Sequence, residues 1–274
     1  MYEITKKEYL SKTSVLMNVR APLVAAKAEA GQFVILRSDK DGERLPFTIA
    51  DSDRETGEIS IVFQAEGSST KKLALFEKGD MLEDFVGPLG RPAQLSGLKK
   101  ALIVCGGTGV ANAYPITKKL FETGCATDAV LGFKTKDRVM LDKHYSEITR
   151  NVVITTEDGS FSQKGRVTDG LEQTLKRENY DRVFVMGPLS MMRDVCQITK
   201  KLGIPTTAGM STIMLDGTGI CGGCRLTVNG ETKFACIDGP DFDGHAVDFD
   251  EAINRSAIYG AGHAHSCNLV KEKQ

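Results

Sequence analysis

Four side chains able to hold a metal lie on one short stretch of this sequence: Asp216, Cys221, Cys224 and Cys236, at intervals of x4, x2 and x11. Cys-x2-Cys followed by a later Cys is the spacing of a metal or iron–sulfur site. A Cys-x4-Cys-x2-Cys run with a distant fourth cysteine is the spacing of plant-type [2Fe–2S] loops. Here an aspartate holds the first position, a hard oxygen donor that can still ligate iron. Gly217, Gly219, Gly222 and Gly223 let the backbone wrap closely and turn N–H groups toward sulfur. The spacing predicts an electron carrier. A structural zinc site and a set of unligated buried cysteines are the alternative readings, and Asp before Gly is by itself a turn signal.

A second group of residues has the chemistry of nucleotide binding. Ala101–Cys105 is a buried-strand run that meets Gly106-Gly107-Thr108-Gly109 and then the helical pattern Ala111–Glu122. Strand, glycine turn and helix in that order open a nucleotide-binding βαβ unit. Strand patterns at Ala129–Phe133, Val152–Thr156 and Arg182–Met186 alternate with helical patterns at Arg138–Thr149, Val167–Lys176 and Met191–Leu202. The alternation predicts a doubly wound parallel α/β sheet whose ligands bind at the carboxyl ends of its strands. Gly107, Thr108, residues 155–160, Gly187 and Pro188 occupy those ends. Asp158 is the candidate acceptor for a ribose hydroxyl. No arginine pair directly follows Thr155 and Thr156, which favours NAD over NADP, with Lys164 and Arg166 close by.

The first ninety-odd residues carry a different pattern. Tyr2–Tyr9, Ser14–Val19, Phe33–Arg37, Phe47–Ala50 and Ile59–Gln64 read as short strands, punctuated by Lys40-Asp41-Gly42 and Glu55-Thr56-Gly57. Closely spaced strands of this kind predict a small antiparallel barrel. Within it, Arg44 precedes Leu45-Pro46-Phe47-Thr48. An arginine there can pair with a diphosphate, the aromatic can cover a flat ring, and the hydroxyl can reach a polar edge. Gly67-Ser68-Ser69-Thr70 leads into a predicted helix over Lys71–Phe76, whose first free N–H groups could hold phosphate oxygens. Taken singly, these also read as a surface arginine and an ordinary helix cap.

At 274 residues the chain has room for more than one sizeable core, and its 41% hydrophobic and 26% charged residues are those of a globular protein. A net charge of −1 argues against nucleic acid and membrane surfaces as partners. No apolar run approaches the roughly 20 residues that cross a bilayer, and no signal peptide opens the chain. Its seven cysteines therefore read as reduced thiols in a cytoplasmic protein. Cys105, Cys125 and Cys196 fall on apolar patterns and are expected in the core. His263, His265 and Cys267 have metal-like composition but read as incidental or partner-facing. Phe242 and Tyr259 are expected near the cluster loop. The division expected is 1–95 for the barrel, 96–205 for the α/β domain and 206–274 for a cluster-binding subdomain with a tail.

In this order the chain resembles the ferredoxin–NADP reductase-like flavoprotein family along nearly its whole length. The family's Arg-x-aromatic-Ser/Thr flavin strand falls on Leu45-Pro46-Phe47-Thr48, with the arginine displaced by one to Arg44. Its second flavin segment falls on Val62-Phe63-Gln64, and its Gly-Thr phosphate pair on Ser69-Thr70. Its nicotinamide loop matches Gly106-Gly107-Thr108-Gly109-Val110. Its Cys-Gly-Pro-x-x-Met appears as Met186-Gly187-Pro188-Leu189-Ser190-Met191. Two branches of the family end in a [2Fe–2S] loop. Electron-transfer subunits of dihydroorotate dehydrogenase use four cysteines there. Small subunits of electron-bifurcating NADH-dependent ferredoxin:NADP oxidoreductases place aspartate before three cysteines, and this chain is similar to them in that.

The resemblance implies FAD, a [2Fe–2S] cluster and NAD(H) as cofactors, with NADP(H) also open, and no acid/base triad. It implies work as one subunit of a hetero-oligomer whose larger partner holds a second flavin and [4Fe–4S] centres and reaches ferredoxin. The dihydroorotate role is the runner-up, and a redox-sensing nucleotide-binding module without turnover is the reading from another class.

Overall fold

The computed structural model describes residues 1–257, so Tyr259, His263, His265 and Cys267 lie outside the described residues. The first sheet comprises β1 (Tyr2–Tyr9), β2 (Ser14–Arg20), β3 (Phe33–Arg37), β4 (Leu45–Asp53), β5 (Glu58–Gln64), β6 (Met81–Leu82) and β7 (Asp84–Leu89). Its order is β6-β1-β2-β5-β4-β3-β7, with every pair antiparallel. Alternation sets the inward face: Val15, Met17 and Val19 on β2 and Ile59, Ile61 and Phe63 on β5 are buried in one core. Register shifts in the β1–β2, β3–β7 and β4–β5 pairings bend the sheet around that core into a half-barrel. Two short helices flank it, α1 (Pro22–Ala25) and α2 (Ser68–Leu73).

The second sheet starts with β8 (Lys100–Gly106), where six of seven residues are buried, the run expected of a strand covered on both faces. It continues with β9 (Ala126–Phe133), β10 (Asn151–Thr156), β11 (Gln163–Lys164), β12 (Arg182–Met186) and β13 (Thr206–Gly209), in the order β11-β10-β9-β8-β12-β13. These strands are parallel. Helices α3 (Gly109–Glu122) and α4 (Asp142–Ile148) pack on one face, and α5 (Val167–Leu175) and α6 (Leu189–Lys201) on the other. The order reverses between β8 and β12, the position at which doubly wound sheets open a ligand crevice.

Beyond β13 the chain runs through the cluster loop and a hairpin, β14 (Arg225–Val228) and β15 (Glu231–Phe234). It then returns as β16 (Asp241–Asp243), antiparallel to β13, before α7 (Phe249–Ala257). The helix expected over Arg138–Thr149 is shorter than its periodicity suggested. A 3-10 turn at Lys136–Arg138 is separated from α4 by Val139, Met140 and Leu141, the last two buried, with Leu141 in the left-handed region at φ 58°. Burying those two side chains turns the chain between the segments.

The barrel meets the α/β domain through α3. Ala50 and Val62 on the barrel join the α3 core, and Lys118 on α3 donates to both carboxylate oxygens of Asp51 at 2.7 and 2.8 Å.

Candidate functional site

The cluster loop is built by its aspartate and glycines. Asp216 accepts from the amides of Thr218 at 2.8 Å and Cys221 at 2.7 Å, closing the loop neck. Those amides, Thr218 first, hold its carboxyl below the ordinary range. Gly217 has φ 74°, and a Cβ there would lie 2.7 Å from Ile35 Cδ1 and 2.8 Å from Leu89 Cδ1. The loop thus seats itself on β3 and β7 only because this position has no side chain.

The sulfurs of Cys224 and Cys236 are buried and 3.2 Å apart, and Cys221 is exposed. Two N–H groups point at sulfur, Gly223 to Cys221 at 3.4 Å and Cys236 to Cys224 at 3.5 Å. Burial, followed by the neighbouring Cys224 thiol, pushes the Cys236 thiol up to about 12. Among the described residues no three Cys, Asp, Glu or His side chains converge as a metal site. Two thiolates about 2.3 Å from one tetrahedral metal stand about 3.8 Å apart, so Cys224 and Cys236 need open by only about 0.6 Å to share one iron. Asp216 and Cys221, tied through the Cys221 amide, lie on the same loop and would supply the other half of a donor set. One carboxylate and three thiols, two of them with N–H groups at sulfur, fit a [2Fe–2S] centre.

On the barrel, Leu45, Pro46, Phe47 and Thr48 are all half-buried, with Leu45 and Phe47 resting one side against the barrel core and the stripe still partly open. Phe47 lies against Phe63 with ring centroids 5.4 Å apart. Ser69 on α2 donates to the Glu43 carboxylate, which brings the α2 N-terminus beside Arg44. Thr70 accepts from the Gly67 amide at 3.1 Å. Two segments distant in sequence, each a candidate for phosphate, are therefore neighbours, and the stripe with them fits a flavin dinucleotide. Val62 and Phe63 differ from the flavin reading of their segment: both side chains are committed to packing, leaving the backbone and Gln64 to face a ligand.

A cleft of about 590 Å³ opens at the carboxyl ends of the parallel strands. Its floor is Gly106, Gly107, Thr108 and Gly109, and Gly187 and Pro188 form the wall on the β12 side. A Cβ at Gly109 would lie 2.1 Å from the Met186 carbonyl oxygen, so only glycine lets α3 start this close to β12. Val110, fully buried, anchors the helix beneath and accepts from the Tyr145 hydroxyl at 2.8 Å.

Lys134, Arg138, Glu157 and Arg166 wall the end nearest β9 and β10, and Gln64 is the barrel's contribution. Asp158 is not in the wall. Its carboxylate is turned to the amide and hydroxyl of Ser160, at 3.0 and 2.7 Å, and that turn holds the 3-10 segment through Lys136 N–H to Ser160 Oγ at 2.8 Å. Glu157, one residue earlier, has the cleft-facing place. Strand-end position alone marks both, and only the Asp158–Ser160 turn separates them. Sequence reasoning also passed over Asp241, opposite Gly209 at the sheet edge. Both its carboxylate oxygens are shut from solvent without a hydrogen-bond partner, and burial raises its pKa to about 7.

Residues 211–248 match the iron–sulfur cluster binding domain of dihydroorotate dehydrogenase B, and residues 103–197 match the oxidoreductase NAD-binding domain. The dihydroorotate dehydrogenase B (NAD(+)) electron transfer subunit homolog of Thermotoga maritima is 40% identical, with 94% of this chain and 91% of that protein aligned. The chain belongs to the dihydroorotate dehydrogenase B electron-transfer subunit family. As a member it is an electron-transfer subunit of an oxidoreductase, one component of a hetero-oligomer.

A protein of Clostridium beijerinckii, uncharacterised and encoded in the adh 3′ region, is 45% identical over 94% of this chain and 90% of its own length. Among solved structures, the NADH-dependent reduced ferredoxin-NADP oxidoreductase described for flavin-based electron bifurcation superposes with a TM-score of 0.90. It is 38% identical, covering 95% of this chain and 94% of that one. A ferredoxin NADP+ reductase of Neisseria gonorrhoeae, at 16% identity and a TM-score of 0.59, covers 78% of this chain and 92% of its own and shares the fold.

Proposed function

We propose that this family member is the small subunit of an NADH-dependent reduced ferredoxin:NADP oxidoreductase of the electron-bifurcating kind, working in the cytoplasm. Gly106, Gly107, Thr108 and Gly109 seat the pyrophosphate of NADH at the start of α3, where backbone N–H groups and the helix dipole favour an anion, while Val110, whose amide donates to the Gly107 carbonyl, only anchors the helix beneath. Gly187 and Pro188 leave the nicotinamide room beside β12, and Glu157 accepts from the ribose hydroxyls at the other end. Arg44, with Gly67, Ser69 and Thr70, holds the diphosphate of FAD. Phe47, the Thr48 hydroxyl and the backbone of Leu45, Pro46, Val62, Phe63 and Gln64 are the groups that would hold the isoalloxazine. Asp216, Cys221, Cys224 and Cys236 hold the [2Fe–2S] centre.

When bound, FAD would supply two-electron exchange with NADH and the [2Fe–2S] centre one-electron transfer. The chain's own residues position these groups. The observation that carries the reading is the seat of Gly217 between Ile35 and Leu89. It sets the cluster loop on β3, the neighbour of the flavin strand β4. No described helix is long and apolar enough to cross a membrane, in keeping with the cytoplasmic proposal.

A second reading, an electron-transfer subunit for a dihydroorotate-oxidising partner, has in its favour the names carried by several relatives. Aspartate at the first ligand position favours the bifurcating one. Isolation of the native complex tests the choice. A larger flavoprotein with [4Fe–4S] centres that binds NADP is expected, and a subunit that oxidises dihydroorotate would overturn it.

A further inference from the structure

Gln64 is the barrel residue that reaches the nucleotide cleft, and two positions on, Glu66 accepts from the Arg138 guanidinium at 2.6 Å. The pair spans the cleft mouth from barrel to α/β domain. The 3-10 turn beneath Arg138 is fixed on both sides. Lys136 N–H donates to Ser160 Oγ, and Asp137 pairs with Lys12 of the barrel at 2.6 Å. Arg138 is therefore held by its backbone and by its head group.

The cleft lining carries Lys134, Arg138 and Arg166 against two carboxylates, Glu157 beside them after β10 and Asp194 on α6. Such an excess of positive charge suits a phosphate monoester. Lys134 and Arg166 are exposed, whereas Arg138 is half-buried and its planar fork is the group suited to two-point capture of phosphate. Glu66 engages one arm of that fork, Nη1, and draws the head group toward the barrel.

We infer that Glu66 sets the nucleotide preference of the cleft by keeping Arg138 from the place of a 2′-phosphate. NAD(H) is then preferred over NADP(H) through an ion pair supplied by the flavin domain. The inference rests on the proposed function, in which the cleft takes a nicotinamide dinucleotide.

Equilibrium binding of NADH, NADPH and the 2′-phosphorylated adenosine fragment of NADPH to the cofactor-loaded chain tests it. Glu66→Gln is expected to tighten NADPH and the fragment by about tenfold, the scale of one charge-assisted hydrogen bond, with NADH unmoved. Adding Arg138→Gln should erase the gain. Glu172→Gln, the same charge change on an exposed position of α5, should leave all three affinities alone. The inference is overturned if Glu66→Gln leaves NADPH unchanged, moves NADH and NADPH together, or keeps its gain without Arg138. A wild-type chain that binds NADH but shows any of these loses only the Glu66 assignment; one that binds none of the three probes loses the nicotinamide role as well.

Discussion

Replacing Asp241 by asparagine should flatten the dependence of stability on pH. Both Asp241 oxygens are buried without a donor, and burial raises the carboxyl from 3.8 to about 7. The folded chain then keeps its proton up to about pH 7, while the unfolded chain releases it near 3.8. Between those values the folded state binds more protons, so stability falls as pH rises, and the loss is complete above pH 7. At about 1.4 kcal/mol per pH unit, the whole window is worth about 4 kcal/mol. Asparagine cannot ionise, so the difference between wild type and Asp241→Asn should grow in favour of the variant by that amount from pH 4 to pH 8. Urea unfolding of both proteins at equal cofactor content measures it, and the protonated carboxyl stretch in the infrared should vanish with the same midpoint. Stability curves that run parallel across this range would refute a buried, unpartnered carboxyl.

Gly109→Ala forces a Cβ within 2.1 Å of a backbone oxygen and should cost about 3 kcal/mol or more, seen as a lower Tm together with lost NADH binding. Tyr145→Phe removes the second donor to the buried Val110 carbonyl, which keeps its bond within α3, and should cost about 1 kcal/mol in urea unfolding, with the cluster spectrum unchanged. Asp216→Ala should abolish or strongly alter the [2Fe–2S] paramagnetic signal while NADH binding persists; an unchanged spectrum removes Asp216 from the ligand set.

The parallel sheet was legible because its strands are buried on both faces: Ala101–Cys105 is apolar throughout, and the glycine turn after it fixes where α3 begins. The half-barrel was legible in its centre, where Val15, Met17 and Val19 alternate. Its two-residue edge strand β6 carries too little pattern to be read, and the return of β16 to β13 depends on a pairing across a long insertion. An iron–sulfur segment was legible from its cysteine spacing, since metal chemistry constrains intervals directly, and residues 211–248 match such a domain. Which acid faces the cleft was not legible. Asp158 and Glu157 are adjacent acids at one strand end, and which of them faces the cleft is decided by a Ser160 hydroxyl.

Gly209 and Asp241 stand side by side as partners at the edge of the sheet, and everything between them is the cluster loop with its hairpin. Entry and exit therefore share one doorway, as in domains inserted at a surface turn. A metal-carrying cassette attached this way can be added to, or excised from, a two-domain nucleotide reductase without rethreading its sheet. The same fold can thus serve with or without a one-electron outlet.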